Sequence, residues 1–422
     1  MDVMRYFAIY ILLFSIFHIS SYAQQYYRTE ALSSDISTIQ VNAMGEWHQN
    51  NIIKLNSNEY ITINFDHLAE ETFSHLRYNI IHCDANWRLS KEISEIEYLD
   101  GFNNNLIDDY AISVNTTVEY TNYKLEIPND DVKLKLSGNY VVQIYNEDKP
   151  DKILLNACFS VLEPIANIGY TVNSITNIDA NKEHQQVSLA LHHKLNLMDP
   201  INELKIVVMQ NNRIDTERRN LKPMMITPNK ITYEQNLNLI FEAGNEYRRF
   251  ETSSYRSNGM RVAHIEYKAP YYYSNIELDK IRANKSYNYD QDQNGRFLIR
   301  SIDTDYSDTE ADYMVTTFTL PMEKPLSQNI YLNGDFTNNT FNDKYKMKYD
   351  ELNKQYKLSL LLKQGQYNYQ YLVKTIKGFS TAPIEGNYYE TENEYTAFAY
   401  YRPMGQRYDK LIATTTFYSH KK

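Results

Sequence analysis

Apolar residues recur at every second position from one end of this chain to the other, and that period decides what it can fold into. Ile61, Ile63 and Phe65 alternate with Tyr60, Thr62 and Asn64, and Tyr140, Val142 and Ile144 alternate with Val141, Gln143 and Tyr145. Successive side chains of a strand point to opposite faces, so each stretch has one face to bury and reads as an antiparallel strand. Val187, Leu189 and Leu191 repeat the pattern against Ser188, Ala190 and His192. Tyr356, Leu358, Leu360 and Leu362 do so again, followed by Gln364-Gly365 and then Tyr367, Tyr369, Tyr371 and Val373, which predicts a hairpin. No helix-period segment is long enough for an α/β enzyme fold, and no repeat of 20 to 50 residues shares a signature. The 39 Tyr against 16 Phe and 2 Trp suit half-buried strands and amphipathic contact surfaces. The fold class is therefore mainly β, as tandem immunoglobulin-like or early-set β-sandwich domains.

At 422 residues the chain is about three times the roughly 150 residues of a typical domain. Polar turns at Pro128-Asn129-Asp130-Asp131 and Ser137-Gly138-Asn139 divide the first half into short strands, the pattern of an immunoglobulin-like sandwich. Trp87 follows Cys83 by only four residues, which is not the antibody spacing. Pro164 cannot donate to a ladder and marks the first boundary. The expected layout is a leader over residues 1–23, an N-terminal sandwich over 24–164, a central β-rich domain over 165–315 and a C-terminal early-set-like sandwich over 316–422. Asn294-Gly295, set between Ser286–Tyr289 and Arg296–Ile299, predicts a two-residue hairpin turn, because both positions need positive φ.

Arg5, the apolar run Phe7 to Phe17 and Ser21-Tyr22-Ala23 have the form of a cleavable secretory leader, so the mature chain is expected to be exported. No Cys follows the apolar run closely, and nothing after Ala23 has the roughly 18 consecutive apolar residues of a spanning helix. Lys+Arg 43 against Asp+Glu 53 leaves a net charge of −10, which excludes a general attraction to nucleic-acid phosphates. Cys83 and Cys158 lie in strand-like segments of one domain, and their pairing is left open.

The search for chemistry nominates no catalytic, cofactor-binding or metal-binding residue. Asp290-x-Asp292-x-Asn294-Gly295 copies the first half of a calcium loop, but the twelfth position is Ser301 and the flanks read as strands, so a polar hairpin tip is expected. His192 and His193 are adjacent and would face opposite sides of a strand. The run Ser307 to Asp312 carries three carboxylates and reads as a solvated loop before a strand. No Gly-x-Ser-x-Gly elbow, phosphate loop, dinucleotide fingerprint or His-Glu-x-x-His is present. These absences move the weight from catalysis to binding. Tyr271-Tyr272-Tyr273 and Tyr388-Tyr389 could anchor a partner, though about half of such a run must face inward.

Six segments in order resemble the type IX secretion system plug protein family, formerly a domain of unknown function in Bacteroidota. They are His82 to Trp87, Ile127 to Asp131 with Leu136 to Tyr140, Gly244 to Phe250, Asn294 to Phe297, Ser307 to Tyr313 and Pro383 to Asn393. The resemblance implies a non-enzymatic periplasmic subunit at the inner face of the outer membrane. It would reversibly seal the periplasmic opening of the giant outer-membrane translocon barrel of the type IX system, as a monomer within a hetero-complex, with no cofactor and no nucleic acid. A second resemblance, carried by Ile330 to Phe336, Met347 and Gly365 to Tyr371, is to the early-set sandwich of glycogen-binding modules. There the loop after Asp-Phe usually presents Trp to sugar rings, whereas here it reads Thr337-Asn338-Asn339-Thr340. The alternatives are thus a carbohydrate-binding envelope protein using that C-terminal domain, or a periplasmic secretion chaperone.

Overall fold

The computed structural model of the protein describes residues 26–68 and 75–419, so the expected leader over 1–23 lies outside the described residues. Three hydrophobic cores organise the rest, each enclosed between β-sheets.

In the first core, strands Leu76–Cys83, Gly138–Asn146 and Ile153–Leu162 lie side by side, with the short strands Glu30–Ala31 and Ile52–Lys54 both on the outer edge of Ile153–Leu162. The facing sheet runs Ile36–Ala43, Ile61–His67, Thr121–Ile127, Tyr110–Ile112. Ile61, Ile63, Phe65, Tyr140, Val142 and Ile144 all meet in the space between, as their alternation requires. Burying each such side chain contributes roughly 1.5–3 kcal/mol. Cys83 and Cys158 are free, buried thiols on either side of strand Gly138–Asn146, where Cys83 is opposite Asn139 and Cys158 opposite Val141. Two strand spacings separate them by about 9–10 Å, beyond the reach of a disulfide.

The second core is closed by two stretches of chain far apart in sequence. One sheet is Ala166–Asn173, His184–His193, Lys230–Tyr233, Met225–Thr227, and the other is Leu204–Gln210, Glu394–Tyr401, Lys410–Tyr418. Val187 and Leu191 from the first sheet pack with Ile206, Tyr395, Ile412 and Phe417 from the second. The last two strands thus return to the central region, and residue 315, where the sequence reading places a boundary, lies inside strand Tyr313–Pro321.

Residues between these stretches build the third core. Strand Gly365–Thr375 pairs with Arg248–Glu251, Phe297–Ile299, Ile330–Asn333 and Gly378–Ser380, and it faces the sheet Val262–Lys268, Tyr271–Ile276, Tyr313–Pro321, Gln355–Lys363, Lys348–Asp350. Tyr356, Leu358, Leu360, Tyr367, Tyr369, Tyr371 and Val373 are buried here together. Two expected hairpins are corrected. Gln355–Lys363 and Gly365–Thr375 belong to opposite sheets, so Gln364 is a sandwich corner where the chain crosses the core. A Cβ at Gly365 would sit 2.3 Å from the Leu298 carbonyl oxygen, so this crossing requires glycine. Asn294 and Gly295 do turn with φ of 52° and 95°. Their second arm, Phe297–Ile299, pairs with Gly365–Tyr367, and residues 286–289 form no strand.

Candidate functional site

The segments singled out for chemistry are dispersed over the fold. His192 is exposed and His193 buried, on opposite faces of their strand. Asp290 pairs with Arg249, whereas Asp292 accepts from the backbone N–H groups of Tyr247 and Asn294, and burial pushes its carboxyl up to about 7. Among the described residues no group of three His, Cys, Asp or Glu could hold a metal ion. Tyr271, Tyr272 and Tyr273 are half-buried. The Tyr388 hydroxyl donates to the carbonyls of Arg282 and Lys285.

Only the first part of the run Ser307 to Asp312 is solvated as its charges predict: Ser307–Glu310 forms a helical turn with no buried residue. Ala311 and Asp312 are buried against the first sandwich, where the Asp312 carboxylate accepts the Thr117 N–H at 2.8 Å and the Tyr120 hydroxyl donates to the Ala311 carbonyl at 2.8 Å. Beside it lies a charge pair with almost no exposure, Lys363 Nζ on Asp66 Oδ2 at 2.8 Å. Lys363 also donates to the Asp308 carbonyl and lies 4.1 Å from the Tyr120 ring centroid, while the Tyr313 hydroxyl and the Asn122 amide donate to Asp66. Asp66 thus takes three donors, and Lys363 has two acceptors and a ring face, the kind of multiple bonding that lets a charge pair stay out of water.

A second weld joins the first core to the last hairpin. The Asp409 carboxylate is 1 % exposed and accepts from the Ala85 N–H at 2.9 Å, from Lys205 and from Arg402. Arg219 donates to the Ala85 carbonyl, and the Tyr400 hydroxyl donates to Asn139, whose amide holds the Asp84 carbonyl. His82 lies underneath. Its Nε2 faces the Ser137 carbonyl at 3.1 Å and therefore carries the proton, and its Nδ1 accepts from Ser90 Oγ at 2.9 Å. Burial holds the imidazole neutral, lowering it to about 4. Gly138 has φ of 132°, and a Cβ there would stand 2.7 Å from His82 Nε2 and 2.9 Å from the Asp409 carbonyl.

The third core carries its own ionic centre. Arg248 forks onto Glu385 at 3.0 and 2.9 Å and reaches Asp279 at 2.9 Å, and Tyr369 and Tyr371 donate their hydroxyls to Asp279. Burial works to raise Glu385, yet Arg248 and Arg282 hold it down at about 2. Arg296 ties the three cores at one point: its Nη2 donates to Glu394 at 2.7 Å and to Asn50 at 2.8 Å, residues of the second and first sandwiches. It lines a cavity of about 640 Å³ where the cores meet, which also takes in both tryptophans, Trp47 and Trp87.

All six segments that carry the plug-family resemblance contribute to these contacts. Asp66, Lys363 and Asp409 were not legible beforehand. Asp66 and Lys363 occupy the alternation position that an isolated sandwich would leave in water, and only the neighbouring sandwich covers them. The loop that aligns with the sugar-stacking loop of glycogen-binding modules is turned inward: Thr337, Asn339 and Thr340 are buried, and Asn339 donates to the Asn212 carbonyl.

Sandwiches joined through buried, multiply bonded charges define a class of protein, the multi-sandwich scaffold. The family profile described as type 9 secretion system plug protein, 1st domain, matches residues 36–163, which is the first sandwich. The crystal structure of a hypothetical protein from Parabacteroides merdae ATCC 43184 is 48% identical, over 94% of this chain and 100% of its own, with a TM-score of 0.91. A comparison with curated proteins finds no match. The first sandwich is therefore a first domain of the type IX secretion system plug protein family, and the role of the chain is related to type IX secretion. Among the described residues no helix is long and apolar enough to cross a membrane.

Proposed function

We propose that the protein is a non-enzymatic periplasmic plug subunit that reversibly seals the periplasmic opening of the giant outer-membrane translocon barrel of the type IX system. The match of the first sandwich to the plug family carries this reading. The structure is compatible with it on physical grounds. A stopper must hold its shape when pushed, and three cores locked by Lys363–Asp66, Asp409 and Arg296 resist hinging between sandwiches far better than linker-joined domains would. A glucan-binding role for the C-terminal early-set-like segment has less support, because the loop that would carry an exposed aromatic platform is buried.

The test is affinity isolation of the tagged mature chain from mildly solubilised outer membranes, with co-purifying proteins identified by mass spectrometry. Recovery of the translocon barrel free of exported cargo is the expected outcome. Recovery of the chain with cargo or unfolded clients and without the barrel would replace the plug by a chaperone.

A further inference from the structure

The cavity at the meeting of the three cores has the chemistry of a binding site, and we propose that it takes a short neutral oligosaccharide. Four observations carry this. First, the only two tryptophans of the chain, Trp47 and Trp87, both line it, and an indole offers an apolar face to a sugar ring. Trp87 sits at φ of 58°, a left-handed conformation that is a genuine outlier for so bulky a residue. The Asp84 carboxylate fixes that turn by accepting from the N–H groups of Asn86 and Arg88. Such strain persists where the fold over-determines it, and it gathers at functional positions.

Second, the side-chain amides of Gln40, Asn42, Gln49, Asn220 and Asn338 line the same space and, among the described residues, make no hydrogen bond. Carboxamides present donors and acceptors together, which matches hydroxyl and acetamido groups. Third, Arg28, Arg219 and Arg296 on the wall are matched inside the protein, by Glu30 at 2.9 Å, Glu217 at 2.8 Å and Glu394 at 2.7 Å, and the wall's Arg88 and Asp335 are of opposite sign, so the ligand should be neutral. Fourth, the backbone edge that a peptide strand would need is capped: Cys158 N–H donates to Thr29 Oγ1, and Asn51 Nδ2 donates to the Cys158 carbonyl. Side chains and rings remain for recognition, which favours a sugar over an added strand. The volume of about 640 Å³ falls in the range of small-molecule sites.

Both tryptophans belong to the first sandwich, whereas Asn338 comes from the early-set-like segment, so the site lies between the two, and it is independent of the plug reading. Tryptophan emission of the whole mature protein, titrated with N,N′-diacetylchitobiose and with cellobiose, reads the cavity directly because no other Trp exists. A saturable change is expected, with affinity lowered about tenfold in Trp87→Phe and in Asn42→Ala. Asn220→Ala, in an exposed loop, is the variant that keeps the fold and is expected to weaken binding in the same direction. Response to the acetamido sugar alone assigns wall-type glycans, and response to both assigns plain glucans as well. The absence of a saturable change with either sugar overturns the proposal, as does a response that all three variants leave unchanged. A response to a neutral Asn-Gly peptide without one to the sugars would make this a polypeptide site and likewise overturn it.

Discussion

His82 and Lys363 show how single buried groups set the conditions under which this protein is stable. The folded pKa of His82, about 4, lies below the ordinary value of 6.5. Above pH 6.5 both folded and unfolded imidazoles are neutral. As pH falls from 6.5 to 4 the unfolded chain binds a proton that the folded chain refuses, so stability declines by about 3 kcal/mol across that window. Asp292 and Asp335, which burial pushes up to about 7, act in the opposite sense there: the unfolded carboxyls ionise first as pH rises. Comparison with His82→Gln isolates the histidine. The difference in unfolding free energy between the two proteins should change by about 3 kcal/mol between pH 7.5 and pH 4, and a constant difference would refute the assignment. Lys363→Met leaves Asp66 buried with its charge uncompensated and should cost about 3–5 kcal/mol in denaturant titrations. Adding Asp66→Asn to Lys363→Met should recover a large part of that loss. If the double variant is as unstable as the single one, the penalty comes from lost packing and not from the stranded charge.

At the scale of elements, the last two strands hold the central core together. Glu394–Tyr401 pairs in full register with Leu204–Gln210, and Tyr395, Ala397, Ile412 and Phe417 fill the space beneath His184–His193. A chain ending at residue 392 would keep nearly all of the third core's strands and yet expose the apolar face of Leu204–Gln210. Strong binding of a hydrophobic dye and loss of protection from hydrogen exchange over residues 166–241 are the expected results. A truncated protein whose 166–241 segment stays protected would mean that this segment closes its own core.

The whole molecule should behave as one body. Buried charge pairs and the Asp409 clamp make the three cores interdependent, so calorimetry is expected to show a single unfolding transition for the mature chain. Asp409→Ala removes the acceptor for Ala85, Lys205 and Arg402 at once and should split that transition, with the first sandwich melting apart from the rest. Two resolved transitions in the unaltered protein would contradict the rigid-body reading that underlies the proposed plug.

Period-two alternation was sufficient to identify the strands, their buried faces and the all-β class, because the side-chain period of a strand is local and a core accepts only one face. Ile61, Ile63, Phe65 and the Tyr367 to Val373 series needed nothing else. Partnership between strands is not local. Gln364-Gly365 looks the same whether the chain folds back beside itself or crosses to the opposite sheet, and the return of Glu394–Tyr401 to Leu204–Gln210 leaves no mark on either segment. The junction is the extreme case: Asp66, Lys363 and Asp409 read as ordinary charges facing water until a neighbouring sandwich covers them and adds partners of its own, Lys363 and Tyr313 for Asp66 and the Ala85 N–H for Asp409. Sequence alone determined what each strand buries. Only the tertiary structure decided which charges are buried with it, since desolvation is imposed by whatever packs on top, however distant it is along the chain.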